Sequence, residues 1–235
     1  MRSIRSHSFR WLMFAGFSLA ATSAVAKVMV LRATGPSAAS FVPGKTLADE
    51  ARVTLKGNDE LVVLDAKGTR VLRGPGSFVI GRSSTATTST LTALATPTNS
   101  RRARIGAVRS VPPVDGQLLP NIWFVDTARG GTTCVGDPRD VTLWRSVADK
   151  AGSTTITADG GATATVDWIA GQSTVAWPAA LPVTDHAAYR IAGSRIEFRV
   201  VQPQPADLQQ LAGALVANQC QGQLDVLIKS TSDKK

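Results

Sequence analysis

Histidine, cysteine and tyrosine are nearly absent: of 235 residues, two are His, two Cys and one Tyr. The chain also contains no G-x-S-x-G, H-E-x-x-H, Walker loop or G-x-G-x-x-G. The familiar sequence signatures of serine hydrolases, zinc proteases, nucleotide hydrolases and dinucleotide enzymes are therefore missing. Beyond the first 26 residues no apolar run approaches the ~20 residues that a spanning helix needs. After that N-terminal segment His186 is the one histidine, so any Ser/His or Cys/His catalyst must use it. It stands in "TDHAAY", which reads as a loop, and Cys134 in "GGTTCVGD" is its only thiol partner besides Cys220. A carboxylate pair for glycoside hydrolysis can converge from distant positions, and Glu50, Glu60, Asp126, Asp137, Asp140, Asp167 and Glu197 are available. Glu50 and Glu60 flank turns, and Asp137-Pro138 has turn chemistry. A hydrolase using His186 or such a pair is the third-ranked reading, and no cofactor or metal is expected.

At the N-terminus Arg2, Arg5 and Arg10 precede an uncharged run from Trp11 to Ala26 that ends "ATSAVA". Basic residues, a short apolar stretch and small residues at Ala24 and Ala26 have the form of a secretory signal peptide. The alternative is an uncleaved anchor. Export places the mature chain in the periplasm. Removing residues 1–26 takes away three Arg and no acid, so the net charge falls from +9 to +6. A basic exported protein meets anionic glycan or lipid more often than nucleic acid; scattered Lys and Arg can equally just solvate strand faces.

An even cysteine count in an oxidising compartment reads as a Cys134–Cys220 disulfide. Two thiols with no nearby His fall short of the four ligands of a zinc site.

From residue 27 to 80 the sequence alternates apolar strands with Gly or Asn/Asp turns: "KVMVLRA", "ARVTL", "KGND", "ELVVLD", "AKG", "TRVLR". Leu61 to Leu64 is expected to pair antiparallel with Thr69 to Arg73, with Gly68 left-handed in the turn. Gly74-Pro75-Gly76 is expected to end that pairing, since Pro has no N–H for a ladder.

The order "KVMVLRATG … FVPGKTLADEARVTLKGNDELVVLDAKGTRVLRGPGSF" resembles the small β-domain of FecR-like proteins of the bacterial envelope. The resemblance covers about a quarter of the chain. It implies framework roles for Gly44, Leu47, Val53, Leu64, Asp65, Gly68 and Gly76, and a periplasmic module that recognises another protein. "TLKGND" replaces the Thr-Gly pair usual before the central strand. Neither a cytoplasmic segment nor a membrane span of that family precedes it, so transmembrane anti-sigma signalling is not implied. As a whole the chain is similar to exported alphaproteobacterial proteins in which "RIGAVR", "NIWFVD" and "DVTLWR" recur.

Residues 83–120 read as a Ser/Thr- and Arg-rich linker, in which Leu91, Leu94 and Ala95 could form one helical turn. Arg101, Arg102 and Arg104 form the densest positive cluster of the mature chain, able to grip phosphate or carboxylate or simply to solvate a linker. From 121 to 230, "NIWFVD", "VTLWRS", "STTITAD", "ATATVDWI", "STVAWPA", "AYRIAG", "RIEFRVV" and "QLDVLIK" are strand signals at the spacing of an immunoglobulin-like β-sandwich. Trp123, Trp144, Trp168 and Trp177 read as core more readily than as a sugar platform, with Trp177, beside Pro178, the most exposed. "PADLQQLAGALVANQ", residues 205–219, is expected to be one amphipathic helix packed on that sandwich. Residues 231–235 read as a disordered tail.

The sequence therefore predicts a mainly β protein: a FecR-like meander at 27–82, then a disulfide-closed β-sandwich with one helix. Its expected role is noncatalytic binding of an envelope or signalling protein, with anionic envelope glycan or lipid as the second reading. Arg70, Arg73, Arg101, Arg102, Arg104 and Trp177 are the candidate contacts.

Overall fold

The computed structural model describes residues 27–48, 50–65, 67–80, 94 and 119–232. Residues 1–26, Leu91, Ala95, the Arg101, Arg102 and Arg104 cluster and residues 233–235 lie outside them. What is described is mainly β, and no described helix is long and apolar enough to cross a membrane.

The N-terminal unit contains β1 (Lys27–Thr34), β2 (Thr46–Ala48), β3 (Arg52–Leu55), β4 (Glu60–Asp65), β5 (Gly68–Arg73) and β6 (Gly76–Val79). A four-stranded sheet runs β2-β1-β4-β5, and β3 pairs with β6 in a separate ribbon. The expected hairpin forms, with Leu64 opposite Thr69 and Asp65 opposite Gly68. Gly68 has φ +134°, a value that penalises any side chain. Gly74-Pro75 ends β5 and turns the chain into β6, which pairs with β3 from Gly76 onward.

The unbroken apolar run of β4, Leu61 to Leu64, has a physical cause. Leu61 and Val63 of β4 pack with Val28, Val30, Val53, Leu55 and Ile80. Val62 and Leu64 point the other way, into a cluster with Leu31, Leu211, Leu215, Leu224 and Leu227. A strand covered on both faces reads as an unbroken apolar run, because neither face meets water.

Asp59 fixes the turns beside this core. Its Oδ1 accepts from the Ser37 N–H at 2.8 Å and its Oδ2 from the Lys56 N–H at 2.5 Å. Burial pushes the carboxyl up, but these donors outweigh it and hold its pKa below the ordinary value. A depressed carboxyl stabilises the fold above its ordinary pKa and loses that contribution as pH falls through the depressed value. Replacing Asp59 by Asn is therefore expected to lower the neutral-pH unfolding midpoint and to flatten its decline below about pH 4; urea titrations at pH 7 and pH 3 measure both.

The C-terminal unit contains β7 (Val125–Asp126), β8 (Gly131–Val135), β9 (Thr142–Trp144), β10 (Gly152–Ala158), β11 (Thr163–Trp168), β12 (Thr174–Ala176), β13 (Ala188–Ile191) and β14 (Ser194–Val200). They form a five-stranded sheet, β11-β10-β13-β14-β8, and a three-stranded sheet, β12-β9-β7. Leu143 and Val125 from one sheet share a core with Ile156, Ile191, Ile196 and Phe198 from the other, which makes the expected sandwich. Two pairings, β8 with β14 and β7 with β9, are parallel, which consecutive hairpins cannot produce.

Three local readings change. "NIWFVD" contributes only Val125–Asp126 to a strand, because the Asn121 side chain accepts from the Trp123 N–H at 2.8 Å and bends the chain. "GGTTCVGD", unassigned in the sequence, supplies β8. "QLDVLIK" is not a strand but part of a helix. Helix α1 (Leu208–Ala217) is followed at once by α2 (Gln221–Thr231). Short apolar runs fit either period, and here Leu224, Leu227 and Thr231 are buried at helical spacing. Asp207 caps α1, accepting from the Gln210 N–H at 2.7 Å.

The helices also do not pack on the sandwich alone. Leu211, Leu215, Leu224 and Leu227 share one cluster with Leu31, Val62 and Leu64 of the first sheet and with Cys134 of β8. On one side Arg32 of β1 meets Asp225 at 2.6 Å, and the buried Thr69 and Thr231 hydroxyls lie 2.5 Å apart, so Thr231 ends the packed helix and does not begin the expected disordered tail. A Cβ on Gly68 would overlap the Thr231 carbonyl, so the close approach of α2 needs glycine there. On the other side Gln223 accepts from the Cys134 N–H and donates to the carbonyls of Cys134 and Ile122, each at 2.7 Å. Cys134 and Cys220 form a disulfide, with Cα atoms 5.8 Å apart, at the residue that opens α2. Replacing Gln223 by Ala strands buried backbone groups, and with the disulfide intact we expect a loss of at least about 2 kcal/mol in urea unfolding. An unchanged midpoint would contradict this role.

Candidate functional site

The loop before β8 and the outer surface of α2 enclose a cleft. Leu119 and the half-buried Phe124 come from the loop, Val226 from the helix, and Thr132 and Thr133 from β8. Asp126, Arg129, Gln223, Asp225 and Lys229 complete the lining. Their placement follows from local chemistry. Asp126 accepts from the Ala128 N–H at 3.0 Å and pairs with Arg129 at 3.2 Å, which fixes the 126–129 turn. Asp225 is held by Arg32. Lys229, exposed in the last turn of α2, has no ion-pair partner among the described residues and suits the negative end of the helix dipole.

The cleft has a volume of about 60 Å³. Pockets for small molecules run from roughly 300 to 1,000 Å³, so this one has the scale of a single inserted side chain. A wider, shallow trough of about 430 Å³ lies among Gly136, Asp137, Pro138, Arg139, Gln202, Pro203 and Gln204, polar and open to water.

His186 is drawn into a charged group at the sheet surface. It adopts a left-handed φ of +62° in the turn before β13, and Asp185 lies 3.3 Å from its Nε2. Its Nδ1 faces Arg199 Nη1, which also donates to Glu197 at 2.7 Å. A guanidinium on Nδ1 occupies the lone pair that a general base would need. Cys134, the thiol that could have served as its nucleophile, is held in the disulfide. Among the described residues no group of three or more His, Cys, Asp or Glu stands close enough to hold a metal ion.

Of the basic candidates, Arg70 and Arg73 both lie on β5. Arg70 lies 2.9 Å from Asp65, and Arg73 lies 2.9 Å from Glu60, directly opposite it in the hairpin register. Each charge is thus compensated locally, which leaves less for an anion. Arg101, Arg102 and Arg104 lie outside the described residues. Trp177 is half-buried and packs edge-on against Tyr189 and Phe198, at 4.9 and 5.1 Å between ring centroids. Its Nε1–H donates to the Leu181 carbonyl at 2.5 Å, so its polar handle is used inside the fold. Trp144 and Trp168 are buried, and Trp123 packs in the helix cluster.

Phe124, Arg129 and Lys229 were not singled out by the sequence. Only the packing of α2 on the 119–130 loop brings them together, and reading 223–229 as a strand hides that face. The chain matches no protein-family model, no curated protein and no solved structure.

Tyr189 gives the aromatic core an optical reporter. Its hydroxyl donates to the Pro182 carbonyl at 2.6 Å, and burial raises its pKa above the ordinary value of 10.0. A raised acid stabilises the fold fully below its unfolded pKa and loses that contribution as pH rises through the folded value. As the only tyrosine, it should ionise above pH 10 in a 295 nm titration of folded protein; a midpoint at the ordinary value would place its ring outside the core.

Proposed function

We propose that the chain is a noncatalytic exported protein of the periplasm that binds another envelope or signalling protein. The observation that carries this reading is the small cleft between the 119–130 loop and α2. A small cleft in which Leu119, Phe124 and Val226 stand among charges of both signs has the composition of a pocket for a protein partner's anchor residue. The FecR-like resemblance of residues 27–82, read as a recognition or assembly module, supports the same role, as do the signal-peptide form of residues 1–26 and the disulfide.

The neutralisation of Arg70 and Arg73 by carboxylates gives less support to binding of anionic glycan or lipid. The engagement of His186 by Arg199 gives little to a hydrolase. In-cell photo-crosslinking from probes at Lys229 and Arg70 tests the reading. The expected result is one protein captured from Lys229 at both low and high salt, and lost when Phe124 is replaced by Asp. Capture of lipid or glycan alone, at low salt only, would overturn it, because such binding is screened by ions while an apolar anchor is not.

A further inference from the structure

The sheet edges among the described residues are guarded unequally. The outer edge of β8 is occupied by the Gln223 amide, which bonds both backbone groups of Cys134. The outer edge of β5 carries a parallel bridge from Thr69 to Ser232. β2, β7 and β12 are only two or three residues long, and β3 and β6 four. β11 is different. It runs six residues, pairs with β10 on one side without a bulge, and has no described strand on the other. Its sequence, Thr163-Ala-Thr-Val-Asp-Trp168, contains no proline and no lysine, the residues that usually blunt an edge.

We propose that β11 pairs antiparallel with β11 of a second copy, about a two-fold axis through Thr165. The pleat restricts the register. Thr163, Thr165 and Asp167 face outward, while Val166 and Trp168 are buried on the inner face. Paired residues must share a face, so the two-fold passes through a residue and not between two. Centring on Asp167 would set two carboxylates opposite each other, which is unfavourable. Centring on Thr165 pairs Thr163 through Asp167 with their counterparts, opposes Asp167 to Thr163 and Val166 to Ala164, and leaves no like charges face to face.

The same register accounts for an exposed apolar spot. Ile169 and Val147 are 70 and 55 percent exposed, and the loops bearing them are tied by Arg145, which donates to the Ile169 carbonyl at 3.1 Å. In the Thr165-centred pair Ile169 falls opposite Gly161 of the second copy. The Gly160-Gly161 turn has open space where side chains would be, so it can receive the isoleucine. The paired edges would join two five-stranded sheets into one of ten strands. This goes beyond the partner-binding reading and does not depend on it, since the cleft on α2 is formed by other elements.

The test uses the chain purified from the periplasm of an expressing bacterium. Sedimentation velocity over rising concentration should show a growing dimer fraction, which Ile169→Lys shifts to at least 10-fold higher concentration. Under oxidising conditions Thr165→Cys should form a covalent dimer, while Thr155→Cys, exposed on the same face one strand inward, should not. A chain that sediments as a monomer at every concentration overturns the proposal. So does a dimer indifferent to Ile169→Lys that Thr165→Cys fails to cross-link.

Discussion

The structure depends on the burial of helix α2 between two β units that it touches on opposite sides. Leu224 and Leu227 share a cluster with Val62 and Leu64 of the first sheet and with Cys134 of the second. Each leucine so buried contributes roughly 1.5 to 3 kcal/mol relative to exposure. Polar contacts fix where the helix sits. Thr69 and Arg32 address it from one side, and Gln223 addresses β8 and Ile122 on the other. The disulfide fastens its first turn, closing a span of 86 residues, for which chain entropy alone gives about 4 to 5 kcal/mol. The C-terminus thereby closes the fold that the N-terminal hairpin begins.

That arrangement explains what could and could not be read along the chain. The hairpin around Gly68 was legible because turn and strands are local, and the positive φ demands glycine. The disulfide was legible because two cysteines leave only one pairing. β10, β11, β13 and β14 were legible because one face meets water and the pattern alternates. "QLDVLIK" misled because Leu224, Val226 and Ile228 alternate as a strand would, while the partners that favour the helix, Val62 and Leu64, lie some 160 positions earlier. The apolar run of β4 carried half of that information. It shows a strand covered on both faces without saying by what.

The cleft was illegible for the same reason. Phe124 and Arg129 belong to a loop, Val226 and Lys229 to a helix, and nothing in their spacing connects them. Of the basic candidates, Arg70 and Arg73 are answered by Asp65 and Glu60 in the hairpin itself, and Arg101, Arg102 and Arg104 lie outside the described residues. The helix thus has two roles. Its inner faces hold the two β units, and its outer surface forms one wall of the proposed recognition site.

The central claim, that α2 makes the two β units one cooperative body, is tested most directly by native-state hydrogen exchange in low denaturant. The amides of β4 and β14 should share one opening free energy and one denaturant dependence. They should continue to do so when the disulfide is reduced, both falling together. Separate isotherms for β4 and β14, with the sandwich persisting after the first sheet has opened, would contradict the account.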